Sequence, residues 1–558
     1  MKRMIGITIL ALAATFPVVA QDAPAVRKTP VTQDVSPHLI TMALSQPDMG
    51  TATPSEVIQK HGPLLEEVGS PQAGTISIPF SPTVVQSSTA NKPLFSAAPG
   101  LSFEGLGLGT AGYTVLGAPP DTTLAVGPNH VVQWVNSHLA IYNKAGSPLL
   151  PAPGFVTGNT LWSGFGGVCE TTNRGDPLVA YDKIADRWIF SQFAFNVTAG
   201  NPSPPFLQCF AVSQGPDPAG PYNRYAYSFT NLNDYAKIGV WPDAYYVTHN
   251  AFAMPAGTNV GVDICAYDRA AMIAGTAAIS LCVPTDFYAL GGSFLPADLE
   301  GNTALPPAGA ANYMLRFRTG TTGTGRALRL MHFKVINFTP GSLTFNDGQG
   351  GALGTNIDMP ILNLPACNGT AGACIPQLGT ATLLDTLGDR LMYRLGYRNR
   401  GGVASLQVTV SGDPDGAGAQ GSALRWFEIR NPSAAAPTLY QNATFNPNTT
   451  NRWMGSIAMD KNGNMALGYS ASDATIPPGI RITGRLRSEL RNQMQAETVI
   501  QNGGGSQTGT LTRWGDYSTM RVDPADDCTF WFTTEYLGAS GTFNWRTRIA
   551  SYKFSNCN

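Results

Sequence analysis

The sequence predicts an all-β chain: a β-propeller of about seven four-stranded blades, preceded by an irregular N-terminal segment. Three observations lead there. Charged residues make up only 13% of the chain while Gly (61) and Pro (42) are abundant, the profile of a turn-rich β protein wetted by hydroxyls and amides. From about Tyr113 onward, short apolar runs alternate with clusters of Gly, Pro, Asn and Asp, which signals strands and hairpins. One unit then recurs: an apolar strand, a polar turn and a second apolar strand. It stands at 124–136, 178–193, 238–250, 456–470 and 518–536, with weaker copies at 313–336 and 390–410. A further strand follows most copies, for example CFAVSQG (209–215) and ALRWFEIR (423–430). Four-stranded sheets repeated radially make a propeller. Runs such as CTFWF (528–532) suit strands covered on both faces.

Taken in order, the chain begins with Lys2 and Arg3, an apolar run from Ile5 to Ala14, and Val18-Val19-Ala20 before Gln21. That is the pattern of a secretory signal peptide over 1–20, so an exported location, extracellular or periplasmic, is expected. No later stretch is apolar for long enough to span a bilayer. Residues 21–110 are rich in Pro, Ser and Thr and are expected to be extended, with one short helix near Ser55 to Glu67. The propeller domain is expected over 111–558.

Net charge is -1 and no basic run occurs, which excludes nucleic acid as a partner class. Eight Cys in an exported chain favour disulfides. Local spacing favours Cys169–Cys209, Cys265–Cys282, Cys367–Cys374 and Cys528–Cys557, although the cysteine count leaves other connectivities open.

The hairpin acids at Asp182 to Asp186, Asp460 to Asn464 and Asp523 to Asp527 read as turn formers, because Asp and Asn bond their own backbone. The turn DKNGN (460–464) carries three oxygen-bearing side chains but no distal Glu. It is a weak match to a Ca²⁺ loop, and no cofactor is otherwise expected. Chemistry is expected where the innermost strands begin, in PPDTTLAV (119–126), RGDPLVAYD (174–182), YAKIGVW (235–241), GDRLMYR (388–394), RWMGSIAMD (452–460) and RWGDYSTM (513–520). Radial repetition would bring Asp121, Asp176, Asp389 and Asp516 into one ring with Arg174, Lys237, Arg390, Arg452 and Arg513, joined by Tyr517 and Glu535. Such a ring either ties the blades together by ion pairs, or holds an anionic ligand and uses two unlike carboxyls as acid and base. His138 and His249 could meet across adjacent blades, a lyase-like arrangement.

The stretches PPDTTLAVGPNHVVQWVN, DPLVAYDKIADRWIFSQFAF, AVSQGPDPAGPYNRYAYSF, IGVWPDAYYVTHN, DRLMYRLGYRNRGG and RWGDYSTMRVDPADDCTFWFTTEY resemble those of a group of exported, largely uncharacterised bacterial β-propeller proteins. The resemblance implies a large secreted propeller, not an activity. A looser similarity is to sialidase-like propellers, whose S-x-D-x-G-x-T-W turns are absent here, so no sialidase residue is carried over. Fold alone does not name a function. The expected function is recognition of glycan or another surface polymer by a monomeric module. The alternative is a polysaccharide hydrolase or lyase using the Asp/Arg ring, and a purely structural surface component is the third reading.

Overall fold

The computed structural model describes residues 25–45, 55–56, 75–77, 79, 84–283, 292–319, 326–351, 355–360, 366–367, 372–414 and 421–558. The expected signal peptide lies outside them. So does the expected helix, apart from Ser55–Glu56, which pair in parallel with Gly117–Ala118.

The architecture is a β-propeller. Among the described residues, seven sets of four antiparallel strands follow one another, the first strands of the fourth and fifth also pairing in parallel. Blade 1 is Thr123–Val126, His130–Val135, His138–Asn143 and Phe155–Thr157. Blade 2 is Leu178–Asp182, Arg187–Thr198, Asn201–Ser213 and Tyr222–Phe229. Blade 3 is Leu232–Val240, Ala244–Ala253, Thr258–Asp268 and Ser280–Val283. Blade 4 is Leu295–Leu299, Asn312–Thr319, Arg326–Asn337 and Asn356–Pro360. Blade 5 is Leu391–Arg400, Val403–Gly412, Ala423–Arg430 and Thr438–Phe445. Blade 6 is Asn451–Met459, Met465–Asp473, Ile476–Arg485 and Thr498–Gln501. Blade 7 is Thr519–Val522, Phe530–Leu537, Trp545–Phe554 and, out of chain order, Ala97–Glu104. The first strands of consecutive blades touch in cyclic order, blade 7 returning to blade 1.

Two expectations need correction. The copy at 313–336 supplies the second and third strands of blade 4, not the first two; the innermost strand is the short Leu295–Leu299 upstream. The propeller boundary expected at 111 falls inside blade 7, because Phe103 pairs with Ile549. That strand has no turn linking it to its sheet, so no hairpin signal marks it.

Each blade is covered by two neighbours, so its strands are apolar on both faces. All eight residues of Phe530–Leu537 are buried. Trp134, Trp162 and Phe190 fill the seam between blades 1 and 2, and Phe210, Tyr227 and Tyr267 that between blades 2 and 3. The N-terminal segment runs along the outer rim. Val26–Lys28 pairs with blade 3, Thr32–Val35 with blade 2, Thr75–Ser77 with blade 4 and Val84–Gln86 with blade 5. Edge strands that would otherwise offer free backbone groups are thereby paired.

Four disulfides join Cys169–Cys209, Cys265–Cys282, Cys367–Cys374 and Cys528–Cys557, the pairs that local spacing favours. Disulfides of this number belong to an oxidising compartment. Among the described residues no helix is long and apolar enough to cross a membrane.

Candidate functional site

The innermost strands begin at the upper mouth of the channel. Five of them are entered the same way. Asp121, Asp176, Tyr235, Ser293 and Met454 have φ of 47°, 47°, 58°, 58° and 51°. Two residues later each ladder starts or resumes, at Thr123, Leu178, Lys237, Leu295 and Ser456. In this left-handed region Asp is tolerated better than most residues.

Blades 1, 2 and 7 bring oxygens of Asp121, Asp176 and Asp516 within 4.8 Å of one another. Backbone and amide donors hold them. Asp516 N donates to Asp121 Oδ1 at 2.6 Å, and Asn136 Nδ2 to Asp121 Oδ2 at 2.7 Å. Tyr235 N donates to Asp176 Oδ2 at 2.9 Å. Asp234, which the sequence reading missed, lies beside Asp176 and accepts from Tyr235 N at 2.9 Å. Arg513 pairs with Asp516, and Gly515 N donates to Glu535. Lys237 Nζ sits 3.3 Å from the Tyr235 ring centre and 4.3 Å from that of Tyr517. Arg390 makes a two-pronged pair with Asp389, at 2.7 and 3.0 Å, and lies 4.7 Å from the Tyr235 ring centre.

Seven carboxyls (Asp121, Asp176, Asp234, Asp385, Asp389, Asp516 and Glu535) thus share this region with Lys237, Arg390 and Arg513. Burial, then repulsion from Asp516 and Asp176, pushes Asp121 well above the ordinary carboxylate range. Burial does the same to Glu535, and holds Asp234 at about 6 with help from Asp516. Burial brings Lys237 down to about 8, against the pull of Asp176, Asp516 and Asp121. Like charges packed this closely do not all ionise, and they titrate as a set. Asp121, Asp176 and Asp516 are the residues that could hold a cation. Lys237, Arg390 and Arg513 already supply positive charge beside them, so the donor set fits a shared-proton cluster better than a metal.

Two expected members are elsewhere. Arg174 donates from Nε to Phe195 O at 3.0 Å and lies over the Phe195 ring. Arg452 is paired with Glu497 at 2.8 Å. Each precedes the left-handed residue of its blade by two positions, and a small slip in register turns a side chain to the other face. His138 and His249 do not meet. Blade 2 lies between their blades, His138 packs on Tyr113 and Phe155, and His249 packs on Phe229. The Asp460 turn binds donors: Asn462 N and Asn464 N reach Oδ1 at 2.9 Å, and Asn464 Nδ2 reaches Oδ2 at 2.7 Å.

Toward the lower end of the channel, a second group escaped the sequence reading. Arg394 Nε donates to Asp298 Oδ2 at 2.9 Å and Arg394 also pairs with Glu300. Arg521 pairs with Asp298 and donates to Tyr393 Oη at 3.0 Å. Burial alone would raise Asp298, but Arg521 and Arg394 hold its carboxyl below the ordinary range. Two arginines here face two acids.

No protein family matches the sequence, and no curated protein matches it. Solved structures similar to the chain include the polysaccharide lyase Uly1, with TM-score 0.38 and 9% identity over 79% of this chain and 92% of that one. The parainfluenza virus 5 hemagglutinin-neuraminidase ectodomain gives TM-score 0.34 and 9% identity over 85% and 87%. Drosophila Semaphorin 1b, extracellular domains 1-2, gives 0.34 and 8% over 84% and 88%. At these scores no activity is inferred from the likeness.

Proposed function

We propose that the protein is an exported, monomeric β-propeller that binds glycan or a related surface polymer, with the carboxyl cluster serving as an internal plug. One observation carries this reading. Asp121, Asp176, Lys237 and Asp516 are all 0% exposed, so a polymer has no path to them in this conformation. An open cleft of about 530 Å³ instead lies where blade 7 meets blade 1. Leu101, Pro128, Lys144, Asp523, Asp526 and Lys553 line it, above Trp531 and Tyr552, which are 3% and 6% exposed. A concave, partly apolar surface with a few polar groups is the usual form of a ligand site. Asp523 accepts from Trp531 Nε1 at 3.1 Å, which fixes the indole. Export is supported by the basic-then-apolar start of the chain and by the four disulfides.

The hydrolase or lyase alternative keeps one supporting feature. Asp234, at about 6, and Asp121, raised well above the ordinary range, both feel Asp516 and sit in unlike surroundings, as an acid and base require. It needs an opening of the upper mouth. The test is to incubate the purified exported protein with bacterial, plant and mucin polysaccharides and to follow both retention and fragments. Retention of intact polymer, abolished by Leu101→Glu with Pro128→Arg while Tm holds, is expected. Fragments with an added water or an unsaturated end would replace this reading with the enzyme.

A further inference from the structure

In a meander the first and third strands run the same way, so their ends emerge on one face. In blades 5 and 6 those ends are basic. The first and third strands of blade 5 end in Arg398-Asn399-Arg400 and in Arg430. The third strand of blade 6 ends at Arg485 and leads into a loop carrying Arg487 and Arg491. The sequence shows no basic run because these six guanidinium groups come from three separate segments.

Their counter-charges fall short. Arg398 is held by Asp527 at 2.7 Å and Arg430 by Glu428 at 2.6 Å. Glu489 accepts from Leu486 N at 2.8 Å and Gln495 Nε2 at 2.9 Å. Asp460 of the adjoining hairpin lies near Arg398, and Lys461 Nζ turns to Asp526 O at 3.2 Å. Six guanidinium groups thus face four carboxylates. Several buried donors have no acceptor among the described residues: Nε of Arg400, Nε of Arg485, and Nε and Nη2 of Arg398. Buried N–H groups left this way are uncommon and call for a partner. Burial, and then Arg487, weaken the hold of Arg400 on its proton, Glu428 opposing and Arg430 and Arg398 adding to the effect.

The groups are also pre-positioned. Arg400 lies flat over Gly463, where an added Cβ would meet its Cζ at 2.7 Å. Arg430 and Arg491 stand 3.2 and 4.7 Å from the ring centre of Tyr440. Planar guanidinium forks match sulfate and carboxylate geometry better than ammonium does. Arg487 and Arg491 are exposed, so the surface is open to a chain passing across both blades.

We infer that this lower face of blades 5 and 6 binds the sulfate or carboxylate groups of an anionic polysaccharide, with Arg400, Arg487 and Arg491 holding the anions. The inference rests on the polymer-binding reading above and adds the polymer's charge and a second contact surface.

The experiment measures binding of the full exported protein to dextran sulfate, polygalacturonate and neutral dextran, at low salt and at about 0.3 M salt. Expected are binding of both polyanions, a loss of about tenfold for each of Arg487→Gln and Arg491→Gln, and weakening by salt. Both positions are exposed, so Tm should hold; Arg400→Gln is the third variant. Retention of neutral polymers, with polyanion binding absent or indifferent to these substitutions, would overturn the inference and leave the polymer-binding reading standing. Failure of every polymer, in this set and in the broader panel, would overturn both. Arginine-dependent binding to phosphatidylserine vesicles, without binding to dextran sulfate, would overturn it in favour of a lipid surface.

Discussion

The two ends of the propeller channel solve the same problem in opposite ways. At the lower end, Arg394 and Arg521 meet Asp298 and Glu300 in direct ion pairs, with Lys183 nearby. At the upper mouth, seven carboxyls share three cations, and burial raises Asp121 and Glu535 well above the usual carboxylate range and Asp234 to about 6. The lower end is joined by ion pairs and the upper by shared protons. Charge balance, not residue type, separates a clasp that weakens only in acid from one that weakens as pH rises.

The sharpest break of this contrast is Arg394→Met. It leaves Glu300 buried without its arginine and Asp298 with one cation, and should cost about 3–5 kcal/mol in denaturant unfolding. A loss under about 1 kcal/mol would mean the lower pairs do not join the blades. Next comes Asp516→Asn, which strips Arg513 of its partner and should cost on the order of 1–3 kcal/mol by the same measurement.

The third is a pH profile. The folded state holds Asp234 at about 6, above an ordinary carboxyl. Its protonated form therefore favours the fold, and that contribution is present at acid pH and lost as pH rises through about 6. Asp298 behaves oppositely: its stabilisation is present above the ordinary carboxylate range and lost as pH falls toward its lowered value. Asp234→Asn should therefore gain roughly 1–3 kcal/mol on the natural protein as pH rises from about 4 to about 7. A Tm difference that is flat across that range would refute the shared-proton account. The last is Asp121→Asn. Both Asp121 oxygens accept hydrogen bonds, from Asp516 N and Asn136 Nδ2, and the amide NH2 would face one of those donors, so a loss of about 1–3 kcal/mol in denaturant unfolding is expected; an unchanged stability would show that one of the two bonds is not made.

The propeller was legible because each blade repeats one apolar–turn–apolar unit, and convergence of Asp121, Asp176 and Asp516 followed from that repeat alone. Finer placement was not. Blade 3 has a register shift between Asp234 and Lys237, and blade 6 has one between Trp453 and Ser456. By these shifts Ser456, not Arg452, is the counterpart of Lys237, and Asp234 joins the cluster without looking like a strand-entry acid. The lower group was hidden for another reason: Asp298 and Glu300 sit in LPADLE, a short strand whose blade had been read one strand late. The basic face of blades 5 and 6 is a property of strand direction, which no linear run displays.

The strand Ala97–Glu104 has a kinetic consequence. Ser102 and Arg548 are bonded partners 446 residues apart. A chain that emerges N-terminus first must keep this strand unpaired until nearly everything else has been made, and six blades can form before the ring shuts. Contacts of such separation are slow to find. During that interval the waiting strand and the open flank of blade 7 are the molecule's most exposed sticky edges. The Cys528–Cys557 bond ties the last strand to its own hairpin, so once oxidised the blade waits for its fourth strand as one unit rather than as loose pieces. Formation of that bond and closure of the ring thereby both wait for the last residues of the chain.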